Sequence, residues 1–481
     1  MGVVFKSKLT SVASNIGFRC DFRFHDYVQK DVDFKIIRFS KFIAEIGNGK
    51  DISPDNYEDF NSSDVIYPTV NNFKGGEIRF SDVTFIRDSY SISKELEDGD
   101  IIISRSGTVG LTYVWNKKEA NLYFEREVKA IPSGYLIIVK VDTKTIVPHF
   151  IKLLFNSDYY KKYFSVFGVG KTQKNIAQPD ILSIPIPLVE FSKQNELLEE
   201  IKPLEAEILE LKNLKPRTLN IINQVFGDYF KIDLDEVYEL EKTKILPTSL
   251  SNVGSYNPSL RSGLRWNKLQ YIQSILYSDI DCIQTLGRFI RSTKNGWSPL
   301  SVEGGDGIPV LGQENFSFDG VLRIEPSKFT EETRNNIEDF FIQKGDFFVS
   351  RGNTVDLVAL ASIVNDDIEE NIIFPDLYIR VKLDETYIEK QYLSCIFNSV
   401  IGRLYFKYVA KGKNQTMVKV SSTELLNFRL PIPEFEKQIE IVQAVKIKLD
   451  EQKEIDRQIE EKQQTINKIV EIAIRREQID A

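Results

Sequence analysis

The chain has 481 residues, 42% hydrophobic and 27% charged, with 70 acidic against 62 basic side chains and a net charge of −8. That length exceeds one ordinary core and predicts about two to four domains. The composition excludes a wholly disordered chain, and the acidic balance argues against a uniformly basic nucleic-acid wrapper while leaving room for local basic faces.

Three cysteines, Cys20, Cys282 and Cys395, lie too far apart for zinc-ligand spacing and read as reduced and structural. The two histidines, His25 and His149, read as packing or surface residues rather than acid–base catalysts. The opening MGVVFKSKLTS has no apolar signal-peptide core, and Lys6 stands where a myristoylation motif needs Ser or Thr. The longest apolar runs, such as YLIIVKV from Tyr135, have strand length, against the roughly 20 residues that span a bilayer. A cytoplasmic protein with no membrane partner is expected.

Residues 30–145 hold short β-branched and aromatic runs broken by Gly, Asn and Asp turns, which predicts a β-rich region. It contains Asn48-Gly49 and, from Gly99, GDIIISRSGTVG. Two short helical patterns follow in PHFIKLLFNSDYYKKYF, then the phrase GKTQKNIAQPDILSIPIP from Gly170 to Pro187. Beyond it, Leu197, Ile201, Leu204, Ile208 and Leu211 recur at intervals of four and three, a heptad-like stripe on a long polar helix. Pro203 and Pro216 interrupt this helix, since proline removes a backbone hydrogen bond and clashes with the preceding turn. A kinked spacer or two helices are expected, with RTLNIINQVFGDYF as the second.

The plan then repeats. Gly263-Leu264-Arg265 answers Gly17-Phe18-Arg19, and Asn295-Gly296 answers Asn48-Gly49. GDFFVSRGNTV starts at Gly345, 246 positions after Gly99; IFNS at Ile396 follows LFNS at Leu154, and GKNQTMVKVSSTELLNFRLPIP from Gly412 follows the Gly170 phrase, both by 242. Each PIP segment is followed by Phe and then Lys-Gln, at Lys193-Gln194 and Lys437-Gln438. Val442, Val445, Leu449, Ile459, Ile466 and Val470 form a second stripe, and a helix from about 436 to 476 would be about 60 Å long. The stripes are too narrow for a globular core. Burial tail against tail, as an antiparallel coiled coil, is the simplest arrangement; a solitary helix lying on its own module is the alternative.

The predicted fold class is therefore α+β: two pseudo-symmetric β-rich modules separated by long antiparallel coiled-coil helices. The expected boundaries are 1–187 for the first module, 188–232 for a central helical spacer, 233–255 for a linker, 256–433 for the second module and 434–481 for the C-terminal helix.

In this order, GDIIISRSGTVG, GKTQ, SIPIPLVEFSKQNELLEEI and their second copies ending in RLPIPEFEKQIEIVQAV resemble the specificity subunit of type I restriction-modification systems, across nearly the whole chain. The resemblance implies a DNA-reading subunit without chemistry or cofactor of its own. Its two target-recognition domains would each read half of a bipartite double-stranded DNA target, and its helices would set their spacing and dock methyltransferase subunits. Those partners bind S-adenosylmethionine and methylate adenine; restriction/translocase subunits use ATP and Mg²⁺. The internal duplication motivates two methyltransferase copies.

Reading DNA needs phosphate contacts that position and base contacts that specify. Arg105 and Arg351 end matching strands at glycine-bearing turns, which suits a shared phosphate or framework role; the alternative is pairing with Asp100 and Asp346. Lys171, Gln173 and Lys174, with Lys413 and Gln415, form polar loops before the PIP segments whose lysines and amides suit phosphate, or which are simply solvated. Base reading belongs where the copies differ: Lys50, Asn71, Asn72 and Lys74 in the first, Lys294, Trp297, Gln313 and Asn315 in the second, against ordinary turn chemistry for the same residues.

Among enzyme classes, the chain has no G-x-x-x-x-G-K-[ST], G-x-S-x-G or H-E-x-x-H. It also lacks the Asp-Pro-Pro-Tyr or Asn-Pro-Pro-Phe tetrapeptide of adenine methyltransferases. Glu127-Val128-Lys129 with Asp100 is the remaining nuclease-like fragment. A helical scaffold whose modules bind proteins is the other alternative.

Overall fold

The computed structural model describes residues 36–59, 62–74, 77–92, 94–167, 175–244, 246–247, 264–414 and 417–476. Two compact bodies emerge: residues up to Lys212 together with Gln458 onward, and Asn213–Arg457. Both contain helices and strands, as the α+β reading expects.

The scaffold of the first module has six strands: β1 Ile36–Arg38, β2 Ile43–Asn48, β3 Ile101–Ser104, β4 Thr112–Val114, β5 Leu136–Val141 and β6 Pro185–Pro187. Helices α1 Pro148–Phe155 and α2 Asp158–Phe167 follow β5, and α3 Phe191–Leu214 follows β6. The second module begins with α4 Thr218–Phe230 and repeats the scaffold as β7 Ile283–Thr285, β8 Ile290–Asn295, β9 Phe347–Ser350, β10 Ala361–Ile363, β11 Tyr378–Leu383 and β12 Arg429–Pro431. Its helices are α5 Lys390–Asn398, α6 Val400–Val409 and α7 Phe435–Arg476.

The duplication extends to strand order and register. The first antiparallel sheet runs β2-β5-β3-β4 and the second β8-β11-β9-β10. β1 pairs with β6 through Ile37 and Ile186, as β7 pairs with β12 through Gln284 and Leu430. Even the irregularity is copied: the β2–β5 register shifts across Ala44 and the β8–β11 register across Arg291.

Side chains alternate across a strand. Ile101 and Ile103 of β3 enter the core shared with α1, α2 and α3, whereas Ile102 faces a second core with Tyr113 and Trp115. In β9, Phe347 and Val349 face the helices, and Phe348 faces the other side. Burial on both faces explains why IIIS and FFVS read as unbroken apolar runs.

The layer beyond this sheet is where the modules part. In the first it is a four-stranded sheet, ordered Lys129–Ala130, Val65–Tyr67, Thr84–Ile86, Tyr57–Glu58, with helix Lys117–Phe124. In the second it is a three-stranded antiparallel sheet of Val302–Glu303, Lys328–Thr330 and Ile308–Val310 with short 3-10 turns.

The spacer differs from expectation in detail. Helix α3 runs through Pro203, and the break falls after Leu214, beside Pro216, so RTLNIINQVFGDYF supplies α4 as a separate helix. Residues 234–242, expected as linker, form a helix whose Val237 is buried in the second module's core, because Asp233 caps its N terminus by accepting the Glu236 N–H at 2.9 Å. Helix α7 matches the expected length.

The apolar stripes serve both alternatives at once. Leu197, Ile201 and Ile208 of α3 join Ile466 and Val470 of α7 in the core that also holds the first module's sheet. In the second module Lys215 meets Asp456 at 2.5 Å and Thr218 meets Gln452 at 3.2 Å, an antiparallel run that places Val445 against the core containing Ile222 and Phe226.

Candidate nucleic-acid interface

The repeated phrases become neighbours when the chain folds. In the first module β3 delivers Arg105 to the sheet's end, where its N–H donates to the Tyr135 carbonyl at 2.9 Å and its carbonyl accepts the Ile176 N–H at 2.9 Å. Ser106 bridges Asn175, so the segment leaving the Gly170 phrase is fastened beside Arg105. The Ser104 hydroxyl donates to Thr108 O and accepts from Leu111 N–H at 2.9 Å, closing the SGTVG loop. Gly107 there has φ 74°, a left-handed conformation that glycine adopts without strain.

The second module repeats these contacts. The Arg351 N–H donates to Leu377 O at 2.7 Å, and its carbonyl accepts the Val420 N–H at 2.9 Å. Gly352–Asn353 pairs with Met417–Lys419, bringing the Gly412 phrase alongside.

Three further repeated residues hold this arrangement, and sequence reading assigned them no role although their repetition was the signal. Gln194 accepts the Val147 N–H at 2.9 Å and donates to Val189 O at 2.9 Å; Gln438 accepts the Glu389 N–H at 2.9 Å and donates to Tyr387 O and Pro433 O, both at 2.9 Å. Each buried glutamine ties the start of the long helix to the entry of α1 or α5. Asn156 and Asn398, the Asn of LFNS and IFNS, each bond both the N–H and the carbonyl of an edge-strand residue, Thr112 or Ala361. Gly49 and Gly296 allow the Pro132–Ser133 and Phe374–Pro375 carbonyls to pass where a Cβ would overlap them.

The charged partners differ from expectation. Asp100 accepts the Glu97 N–H and Asp346 the Gln343 N–H, both at 2.9 Å, so the shared aspartate locks a turn. Arg351 bonds Asp376 O at 3.2 Å with the carboxylate at 3.6 Å, and Asp376 is held by Ser298 at 2.7 Å. Asp346 instead pairs with Arg380 at 2.8 Å. The Arg105 guanidinium has no hydrogen-bond or ion-pair partner among the described residues.

Of the other predicted contacts, Lys50 is exposed with its ammonium 4.8 Å from the Tyr90 ring centre, and Asn71 is exposed on a 3-10 turn. Lys74 lies in strand Phe73–Lys74 and Lys413 in strand Lys411–Asn414. Lys294 pairs with Asp339 at 2.8 Å above Phe340, which holds that carboxyl below its usual range, and half-buried Trp297 packs on the same ring. Lys171, Gln173, Lys174 and Gln415 lie outside the described residues.

Three of the predicted base contacts are instead occupied within the chain. Asn72 is buried and accepts both the N–H and hydroxyl of Thr69, at 2.7 and 2.9 Å. Asn315, also buried, accepts the Gly312 N–H at 2.7 Å and donates to Glu325 O at 3.2 Å. The Gln313 amide accepts from Ser350 at 2.7 Å and Asn353 at 3.2 Å while donating to Leu377 O at 3.0 Å. Their polar groups are committed to turns, and base edges would have to displace them.

The stripe residues are likewise occupied within the chain. Leu197, Ile201, Ile208, Val445, Ile466 and Val470 are buried, and Leu204, Leu211, Val442, Leu449 and Ile459 are half-buried. Ile439, Ile447 and Ile472 are the exposed large apolar residues of α7 among the described residues.

The nuclease-like fragment does not assemble: Glu127 is exposed and pairs with Lys117 at 3.3 Å, whereas burial raises the pKa of Asp100 at its turn. Among the described residues, no group of three or more His, Cys, Asp or Glu is placed to hold a metal ion, and no helix is long and apolar enough to cross a membrane.

A twice-built sheet that presents arginine-bearing loops beneath two unlike outer layers defines a tandemly duplicated α+β protein. No family model matches the chain. It is 24% identical over 383 residues to the StySPI specificity subunit of the type I restriction enzyme of Salmonella potsdam, covering 78% of this chain and 73% of that one. A specificity subunit of the MjaVIII type I restriction enzyme of Methanocaldococcus jannaschii is 24% identical over 189 residues, 37% of this chain and 41% of that one. The chain is thus similar to type I restriction-enzyme specificity subunits, the family its repeated phrases resemble. Solved structures aligned to it include the type I S subunit from M. genitalium, at 10% identity, 92% and 97% coverage and TM-score 0.37, and HsdS from Thermoanaerobacter tengcongensis, at 14%, 92% and 97%, and 0.28. These superpositions are loose, and the fold stands on the register of the chain's own two sheets.

Proposed function

We propose that the chain is the non-catalytic DNA-specificity subunit of a type I restriction-modification complex, with each module reading one half of a bipartite, asymmetric target. The observation that carries this reading is a scaffold with the same strand order and register in both modules, each ending in an arginine-bearing loop, under outer layers of different topology. Shared loops suit phosphate, which has no sequence, and unlike layers suit two different half-sites. Lys50, Asn71 and Lys74 in one module, and Lys294 and Trp297 in the other, are the candidate module-specific contacts. Lys171, Gln173, Lys174, Lys413 and Gln415 are assigned to phosphate.

Two methyltransferase subunits, which supply S-adenosylmethionine chemistry, dock on the helical elements through their outward faces, and restriction/translocase subunits using ATP and Mg²⁺ join through them. The chain itself needs no cofactor and acts in the cytoplasm.

Co-expression with its methyltransferase partner, followed by mapping of adenine methylation across the host genome, tests this. A split asymmetric motif that depends on the chain, and changes at one half when residues 36–187 are exchanged, is the expected result. Unchanged methylation despite a stable complex would favour a protein-binding scaffold. Arg105→Ala and Arg351→Ala should each weaken DNA binding across all sequences and lower the salt slope by about one.

A further inference from the structure

Arg334 lies in the loop between strand Lys328–Thr330 and the 3-10 turn Ile337–Phe340 of the second module. Its guanidinium carbon sits 4.6 Å from the centre of the Phe340 ring and 5.3 Å from that of Trp297. Those rings are not loose surface groups: Trp297 packs on Phe340 at 6.1 Å, Phe340 on Phe374 at 6.0 Å, and Phe374 on Phe348 at 4.9 Å, a chain leading into the buried core. The head group is therefore braced from below.

Other cations of the second module are committed. Lys294, over the same Phe340 ring, is paired with Asp339, Arg351 with Asp376, and Arg380 with Asp346. Arg334 is exposed, and among the described residues no acceptor takes any of its N–H donors. A guanidinium held on aromatic rings keeps its planar fork of donors available and loses less freedom when it binds.

We propose that Arg334 is a specificity-determining residue of the second module and reads a guanine through O6 and N7 in the major groove; this rests on the DNA-recognition reading above. Two observations favour a base over a phosphate. The loop belongs to the outer layer that the first module builds differently, where half-site identity must be encoded. Glu331, Glu332 and Glu338 also flank it in sequence, a setting that repels a phosphate backbone but leaves a directional bidentate contact intact.

The test uses the complex of the full chain with its methyltransferase partner, comparing wild type, Arg334→Lys and Arg334→Ala by genome-wide methylation mapping. Both variants should lose discrimination at one G·C pair of the second module's half-site by about 5- to 150-fold, with the other half-site unchanged. A uniform loss at every site with alanine that lysine restores identifies a phosphate contact and overturns the proposal, as does an unchanged motif in both variants. Lysine keeps the charge and stem at this exposed site, so it decides the matter if the alanine variant folds poorly. Absence of a split motif in the wild type would overturn the DNA-specificity reading itself.

Discussion

Asn156 holds the first module's edge strand by two hydrogen bonds to Thr112, at 3.2 and 2.8 Å, and is half-buried. Asn398 holds the second module's edge strand the same way through Ala361, is fully buried, and also reaches the Phe318 carbonyl at 3.2 Å. The same residue therefore fastens the scaffold in both copies, but in the second it is also tied into the outer layer. The lesson concerns where a duplicated protein is free to change. Positions whose polar groups replace backbone partners are retained in both copies, and the outer layers are built differently.

The most severe way to break this comparison is to add a methyl group at its tightest point. Gly49→Ala and Gly296→Ala both place a Cβ on carbonyl oxygens that belong to a neighbouring loop rather than to a side chain that could move. Each should cost about 3 kcal/mol, read as a fall in the denaturation midpoint, and the two losses should be alike. Unequal losses would show that the copies are not mechanically equivalent there. The asparagines sharpen the contrast instead: Asn398→Ala should cost about 2–3 kcal/mol and Asn156→Ala about 1 kcal/mol, because unmade bonds cost more where water cannot replace them. Equal values from chemical denaturation would remove the argument that Asn398 has the larger load.

Much of this was legible in the sequence because repetition marks the residues that geometry constrains. GDIIIS and GDFFVS announced the two central strands, and LFNS and IFNS the ends of α1 and α5. What repetition does not carry is the partner of a charge. The Arg351 carboxylate partner, Asp376, lies 25 positions away and meets it only through the loop geometry after β9. Asn72, Gln313 and Asn315 look like base readers because exposed and buried amides have the same letters, and only the turn around each one decides. Arg334 had no signal at all: its significance comes from two rings, Trp297 and Phe340, brought under it by folding. Pro203 and Pro216 look equivalent on paper, but the helix continues through the first and ends before the second.

The smallest expected effect also discriminates most finely between the copies, because it changes one atom at matching positions. Asp100 and Asp346 accept the same turn N–H, and burial raises the pKa of both. An aspartate whose pKa is higher folded than unfolded takes up a proton on folding, so its stabilising contribution is present at low pH and declines as pH rises from about 3.8 through the folded value. Asparagine keeps the acceptor and removes that decline. Asp100→Asn should accordingly be neutral or slightly stabilising near pH 7, within about 0.5 kcal/mol. At Asp346 the charge also serves Arg380, which packs on Phe374 at 4.4 Å and has its own guanidinium mostly buried. Asp346→Asn also removes that cation's partner and should be less favourable than Asp100→Asn by about 1 kcal/mol near pH 7. For both variants the balance should shift towards the mutant as the pH rises, because ionisation of the buried wild-type carboxylate lowers wild-type stability. Unfolding midpoints at pH 4 and pH 7 for both variants test this directly. A neutral Asp346→Asn would mean that the Phe341 and Asp339 carbonyls, which also accept from Arg380, hold its charge without the carboxylate.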